Sequence, residues 1–251
     1  MKATTLSAAA AVTALALTAC GSSNDPGNAT TTLHVAAAAS LTSSFEEIAT
    51  AYEAEHQGVH VDLQFAGSSD LATQIDNGAQ IDVFASADQK NMDKVKDAVD
   101  GEPTIFATNT LTIITEPGNP KKITDLKDLE SKDLAVVVCA PQVPCGAATK
   151  TLTEQQEVTL DPASEESKVT DVLTKVSAGE ADAGLVYVTD ATGAGDTVDV
   201  VETKGADQVV NSYPIASLTD AASADQAQAF VDYVTGPEGQ EVLKDKGFGA
   251  P

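Results

Sequence analysis

The chain has 251 residues, 42% hydrophobic and 21% charged, enough apolar material for one large domain or two smaller ones. Its 14 basic residues, all lysine, face 38 acidic ones for a net charge of −24; tryptophan is absent and aromatics are 4%. That balance excludes a basic nucleic-acid footprint, guanidinium recognition of carboxylate or phosphate, and broad aromatic platforms for sugars or bases.

The first segment reads as a targeting signal. Lys2 precedes an Ala- and Leu-rich run over 6–17, which ends at Leu17-Thr18-Ala19-Cys20. The run is shorter than the roughly 20 apolar residues of a bilayer span, so a cleaved signal peptide over 1–19 is expected. A small residue ahead of a lone cysteine resembles the lipobox of bacterial lipoproteins. The resemblance implies cleavage before Cys20 and lipid on that cysteine; a plain secretory signal is the alternative. Residues 20–32, mixing Ser, Asn, Asp, Pro and Gly, read as a tether. No second hydrophobic segment follows, so the expected location is the outer face of the membrane, held there by the lipid.

From Leu33 the pattern alternates strand and helix. A strand over 33–36 leads to Leu41, Phe45, Ile48, Ala49 and Tyr52, which share a helical face closed by Gly58. A strand over 59–65 follows, then a helix with Leu71 and Ile75, then a buried strand over 81–85. Ser86-Ala87-Asp88-Gln89 has capping-box form and predicts a helix through Val99. A second set runs from a strand at 110–115 through a short helix at Leu126 and Leu129 to a Val-dense strand at 134–138. A helix begins near Gly146, and Val169, Val172, Leu173 and Val176 mark another. Strands follow at 183–188 and 198–201, then a helix with Ala227, Phe230, Val231 and Val234 stopped by Gly236-Pro237. So many strands predict an α/β protein of two lobes, each a mainly parallel sheet covered by helices. Lobe I is expected over 33–107 plus 214–251 and lobe II over 108–213, with two hinge crossovers.

Cys139 and Cys145 close a short loop, Cys139-Ala-Pro-Gln-Val-Pro-Cys145. In an exported chain such a pair is expected to oxidise to a disulfide; a metal thiolate pair or two free thiols are the alternatives. Ligands of parallel α/β sheets bind where helix N-termini converge beyond the strand ends. Unpaired N–H groups there receive anions without a basic side chain. Four junctions have that chemistry: Ala38-Ala39-Ser40-Leu41, Gly67-Ser68-Ser69-Asp70, Val143-Pro144-Cys145-Gly146 and Ser167-Lys168-Val169. Tyr187 would add a hydroxyl from a strand end. Read singly, Ser40 and Ser68 are ordinary N-caps, Val169 is core, and Tyr187 is a buried tyrosine.

The ordered set of Ala36-Ala-Ala-Ala-Ser40-Leu-Thr, Phe65-Ala-Gly-Ser68-Ser, Ile81-Asp-Val-Phe-Ala-Ser-Ala-Asp-Gln-Lys90, Val143-Pro-Cys-Gly146, Gly179-Glu-Ala-Asp-Ala-Gly-Leu-Val-Tyr187 and Tyr213-Pro214 resembles the periplasmic molybdate-binding proteins of ABC transporters. The resemblance runs from Leu33 to Gly249. It implies the two-lobed type II periplasmic-binding-protein fold and one tetrahedral oxyanion held by three hydroxyls and four backbone amides. By position, Ser40 and Ser68 would each give a hydroxyl and an amide, Cys145 and Val169 amides, and Tyr187 a hydroxyl. Cys145 stands where the family commonly has a small residue such as Ala, and Lys168 departs from the pattern just before Val169. The implied ligand is molybdate, with tungstate as its near twin, and no cofactor. The implied partner is an ABC permease, and the receptor itself is expected to be a monomer. Sulfate or phosphate is the nearest alternative. Iron binding lacks a Tyr-Tyr pair, and a serine hydrolase lacks Gly-x-Ser-x-Gly, with His34 mid-strand and without an obvious acid partner. A lipid-anchored structural protein is the remaining class.

Overall fold

The computed structural model describes residues 30–251. The signal peptide over 1–19, the lipidation of Cys20 and nearly all of the 20–32 tether lie outside the described residues. Thr31 and Thr32, expected at the tether's end, instead pair with Val59 and His60 in the first sheet.

That sheet has the order β2-β1-β3-β10-β4, from β1 (Thr31–Ala38), β2 (Val59–Ala66), β3 (Val83–Ala85), β4 (Thr104–Asn109) and β10 (Asn211–Ser217). β1 runs parallel to β2 and β3, and β10 runs antiparallel to β3 and β4. The second sheet repeats the plan as β7-β6-β8-β5-β9, from β5 (Leu111–Thr115), β6 (Val136–Cys139), β7 (Ser164–Glu166), β8 (Ala183–Tyr187) and β9 (Asp199–Val201). Here β6 is parallel to β7 and β8, while β5 is antiparallel to β8 and β9. Both sheets are therefore mixed: a parallel half built by strand–helix–strand units, and an antiparallel half where the chain changes lobe. The chain passes between sheets at Asn109–Leu111 and again between Val201 and Asn211.

Helices α1 (Thr42–Glu55), α2 (Ser68–Asp76) and α3 (Gln89–Lys94) follow strands of the first lobe; α7 (Ala224–Thr235) and α8 (Pro237–Asp245) close it. The second lobe carries α4 (Pro144–Gln155), α5 (Val169–Ser177) and α6 (Val188–Ala194). The apolar stripe of α1 is buried as its period predicts: Phe45 and Tyr52 meet Phe230 of α7 at centroid distances of 6.3 and 5.2 Å. Val169, Val172 and Val176 anchor α5 to its sheet, while Leu173 is only partly buried.

The capping at Ser86 differs from expectation. Asp88 is the N-cap, its carboxylate accepting from Asn91 N–H at 2.8 Å, and α3 stops at Lys94 before a separate 3-10 turn at Lys96–Ala98. The helix cannot start earlier because Asp88 itself is extended, φ −157° and ψ 157°; the Ser86 and Ala87 amides bond to Pro214 O and Ser68 Oγ. His34 also differs: its Nδ1 lies 3.1 Å from Asp62 across the β1–β2 ladder, an exposed pair on the sheet edge.

Cys139 and Cys145 are joined as a disulfide with their Cα atoms 5.7 Å apart. The bridged loop folds tightly over the first turn of α4, where a Cβ on Gly146 would overlap Ala140 O. Replacing both cysteines by Ala should lower unfolding stability by roughly 2 kcal/mol, read from the urea midpoint. An unchanged midpoint would mean that the bridge does not constrain the unfolded chain.

Candidate functional site

The four junctions singled out from the sequence meet between the two lobes. Ser40, Ser68, Cys145, Val169 and Tyr187 all line one cavity. It is narrow, with a volume of about 10 Å³, roughly the room one water needs. Among the described residues no charged side chain lines it; the remaining wall is Ala38, Ala39, Ala87, Gly67, Val143 and Pro144.

Three helices of the two lobes begin at this wall. In α2 the amides of Asp70 and Leu71 return to Gly67 O; in α4 that of Ala147 returns to Val143 O; in α5 that of Asp171 returns to Lys168 O. The amides ahead of them, at Ser68, Cys145 and Val169, have no intrahelical acceptor and belong to cavity residues. Pro144 at the start of α4 removes one competing donor and fixes the turn. Lys168, not Ser167, is the N-cap of α5, so Val169 is its first helical residue. The Lys168 ammonium turns away to Asp171 at 3.6 Å.

Neither serine acts as a cap. Gly67 is the N-cap of α2, and Ser68 Oγ accepts from Ala87 N–H at 3.0 Å. Ser40 sits in a 3-10 turn (Ala39–Leu41), its Oγ 3.0 Å from the Tyr213 hydroxyl. Tyr187, at the end of β8, is 1% exposed, and its hydroxyl accepts from Asn211 Nδ2 at 2.9 Å. The same Asn211 amide donates to Ala87 O, so one side chain from a crossover spans both lobes. Its ladder partner Asn109 does likewise, donating to Thr189 Oγ1 at 2.8 Å. The sequence reading missed Asn109, Asn211 and Tyr213 as parts of the site; the signals were their position at the two crossovers and, for Tyr213, the Tyr213-Pro214 motif of the resemblance.

Gly67 is required by proximity. Its backbone, φ −62° and ψ 137°, suits any residue, but a Cβ there would overlap Ser167 O of the other lobe. The two lobes thus meet backbone to backbone beside the cavity.

Burial pushes both phenols up, that of Tyr187 well above the usual range, so both keep their protons. Burial also raises the Asp190 carboxyl to about 7, against the opposing pull of the Tyr187 N–H it accepts at 3.1 Å. An acid whose folded pKa exceeds its unfolded value of about 3.9 holds its proton more tightly when folded. Its contribution is therefore fully present below pH 4 and lost as pH rises toward 7. Asp190→Asn should flatten the fall in Tm between pH 4 and 7; a slope equal to wild type would contradict the buried carboxyl.

Comparison with known proteins agrees with this geometry. Residues 33–249 match the family of bacterial extracellular solute-binding proteins. The molybdate-binding protein ModA of Mycobacterium tuberculosis is 46% identical over 94% of this chain and 93% of its own length. ModA of Escherichia coli is 35% identical over 85% of this chain and 87% of its own length. Among solved structures, the Azotobacter vinelandii periplasmic molybdate-binding protein superposes with a TM-score of 0.71 at 22% identity, covering 87% of this chain and 99% of that one. The sulfate-binding protein SubI of M. tuberculosis gives 0.75 at 18% identity, covering 87% and 86%. These relatives are solute-binding proteins and not enzymes. This chain, with its two lobes and the small cavity between them lined by uncharged residues, belongs to the bacterial extracellular solute-binding proteins, within their molybdate-binding family.

Proposed function

We propose that this chain captures molybdate, and tungstate as well, between its two lobes and delivers it to an ABC permease. Ser40 and Ser68 each give the oxyanion a hydroxyl and an amide, Cys145 and Val169 give amides, and Tyr187 gives a hydroxyl. The receptor acts as a monomer, fixed by lipid on Cys20 to the outer face of the bacterial cell membrane. Lobes 33–107 plus 214–251 and 108–213 turn about the two crossovers to close over the ion. One observation carries the reading: residues from four separate junctions, two in each lobe, line one small cavity without a charged side chain.

The energetics favour such a site. A dianion taken from water recovers its solvation through charge-assisted hydrogen bonds of about 1.5–3 kcal/mol each. Seven donors in a closed cavity leave room for submicromolar affinity after the entropy of association. Cys145 suits the role because only its amide is used, its sulfur being bonded to Cys139. The disulfide also removes the thiolates that a metal site would need, and among the described residues no cluster of His, Cys, Asp and Glu could hold a metal ion.

Calorimetric titration with molybdate, tungstate, sulfate and phosphate tests the assignment. Molybdate and tungstate should bind alike and displace one another. Sulfate binding without molybdate binding would transfer the site to a smaller oxyanion. Ser40→Ala, Ser68→Ala and Tyr187→Phe should each weaken molybdate by roughly 1.5–3 kcal/mol, about ten- to a hundredfold in Kd. Val169→Ala should leave Kd nearly unchanged while lowering stability through a core cavity. Silent hydroxyl deletions alongside a lysine-to-Gln change that abolished binding would place the ligand elsewhere. Gly67→Ala should lower affinity at least about tenfold, because its Cβ meets Ser167 O only when the lobes are together. Its apo Tm should stay within a few degrees of wild type. Unaltered affinity would show that the lobes need not approach so closely.

A further inference from the structure

Each of the three cavity hydroxyls has a polar partner behind it, and two of these partners can only donate. Ser68 Oγ accepts from Ala87 N–H at 3.0 Å, and the Tyr187 hydroxyl accepts from Asn211 Nδ2 at 2.9 Å. With an oxygen lone pair engaged from the protein side, the Ser68 hydroxyl has its own proton left to give, whereas the Tyr187 hydroxyl also contacts that of Tyr213, which the Asn109 side chain contacts in turn. The third, Ser40, has a single side-chain partner, the Tyr213 hydroxyl at 3.0 Å, and that contact could run in either direction.

Tyr213 is wholly buried on β10 and does not line the cavity. Its ring is packed edge-on by Phe106 at 6.3 Å, Phe248 at 5.5 Å and Tyr187 at 5.9 Å, so the phenol has no freedom to swing away from Ser40. A phenol O–H is a stronger donor than an alkanol O–H. An acceptor-only ion beside Ser40 also demands the serine proton for itself.

We infer that Tyr213 is a positioning and specificity residue: it donates to Ser40 Oγ from behind and so commits the Ser40 proton to the bound anion. This rests on the anion assignment above and extends it. Ala87 N–H and Tyr213 together give both serine hydroxyls the same polarity. The cavity then accepts an oxyanion with no proton of its own and leaves a protonated oxygen, as in hydrogen phosphate, without an acceptor. Hydrogen bonds linked in this way polarise one another, so the chain from Tyr213 through Ser40 strengthens the contact the ion receives.

The test is a double-mutant cycle on the full mature chain, with molybdate and inorganic phosphate as the calorimetric probes. Tyr213→Phe keeps the ring and removes one hydroxyl. It should weaken molybdate about tenfold in the wild-type background and less than about twofold when Ser40 is already Ala. Freed from its donor, Ser40 Oγ can accept a proton, so the preference for molybdate over phosphate should also narrow about tenfold. An equal loss in both backgrounds, or equal weakening of both anions, would mean that Tyr213 only packs the hinge and would overturn the inference. No loss at all would overturn it as well. A wild-type chain that binds no molybdate would instead overturn the anion assignment itself, and the inference with it.

Discussion

A dianion enclosed between two lobes loses its water shell, and every oxygen then needs donors that the protein holds ready. Without such donors the transfer costs far more than closure can return. With no arginine in the chain and no lysine at the cavity, the donors have to be amides and hydroxyls. That constraint accounts for the architecture. Amides come free at the starts of helices, and the parallel half of each sheet points such helix starts toward the cleft. The antiparallel strands β5 and β10 lie where the chain changes lobe, bringing Asn211 and Tyr213 up against the cavity wall.

The surface charge of −24 and the capture of an anion are compatible because they act over different distances. Acidic groups on the exterior are screened over about 8 Å at physiological salt. Some described lysines pair with nearby carboxylates on the surface, as Lys150 does with Glu154 and Lys246 with Glu47, and such pairs are worth about 0–1 kcal/mol. Inside, Asp190 is the one acid beside the site whose carboxyl is raised to about 7, and burial holds it protonated over much of the acidic range. For an ion held as proposed, the field is set by fixed backbone dipoles within hydrogen-bond reach, which surface charge perturbs little.

Much of this was legible in the residues. Periodicity located α1, α2, α5 and α7, and the order of the four junctions identified the cavity wall. What escaped was non-local. The short strand β7, Ser-Glu-Glu, has no apolar pattern; it exists because β6 lies beside it. The stretch at Asn211–Pro214 reads as a crossover and not as a strand; it is the start of β10, which pairs on both sides with a register shift at Tyr213–Pro214. The cap of α3 fell on Asp88 because that residue is extended and its carboxylate accepts from Asn91 N–H, while the amides of Ser86 and Ala87 reach distant partners, Pro214 O and Ser68 Oγ. The hydroxyl partners of the site lie far apart in sequence, Ser40 with Tyr213 and Tyr187 with Asn211, and only the folded chain pairs them.

The central claim is that a tetrahedral oxyanion sits in this cavity on backbone amides and three hydroxyls. A crystal structure of the protein grown with tungstate, phased on the anomalous signal of the metal, tests it most directly. The account predicts one strong anomalous peak between the lobes, with its oxygens in hydrogen-bond contact with the amides of Cys145 and Val169 and the hydroxyls of Ser40, Ser68 and Tyr187. A peak on a lysine-bearing surface, with the cavity between Ser40 and Tyr187 holding only water, would contradict it.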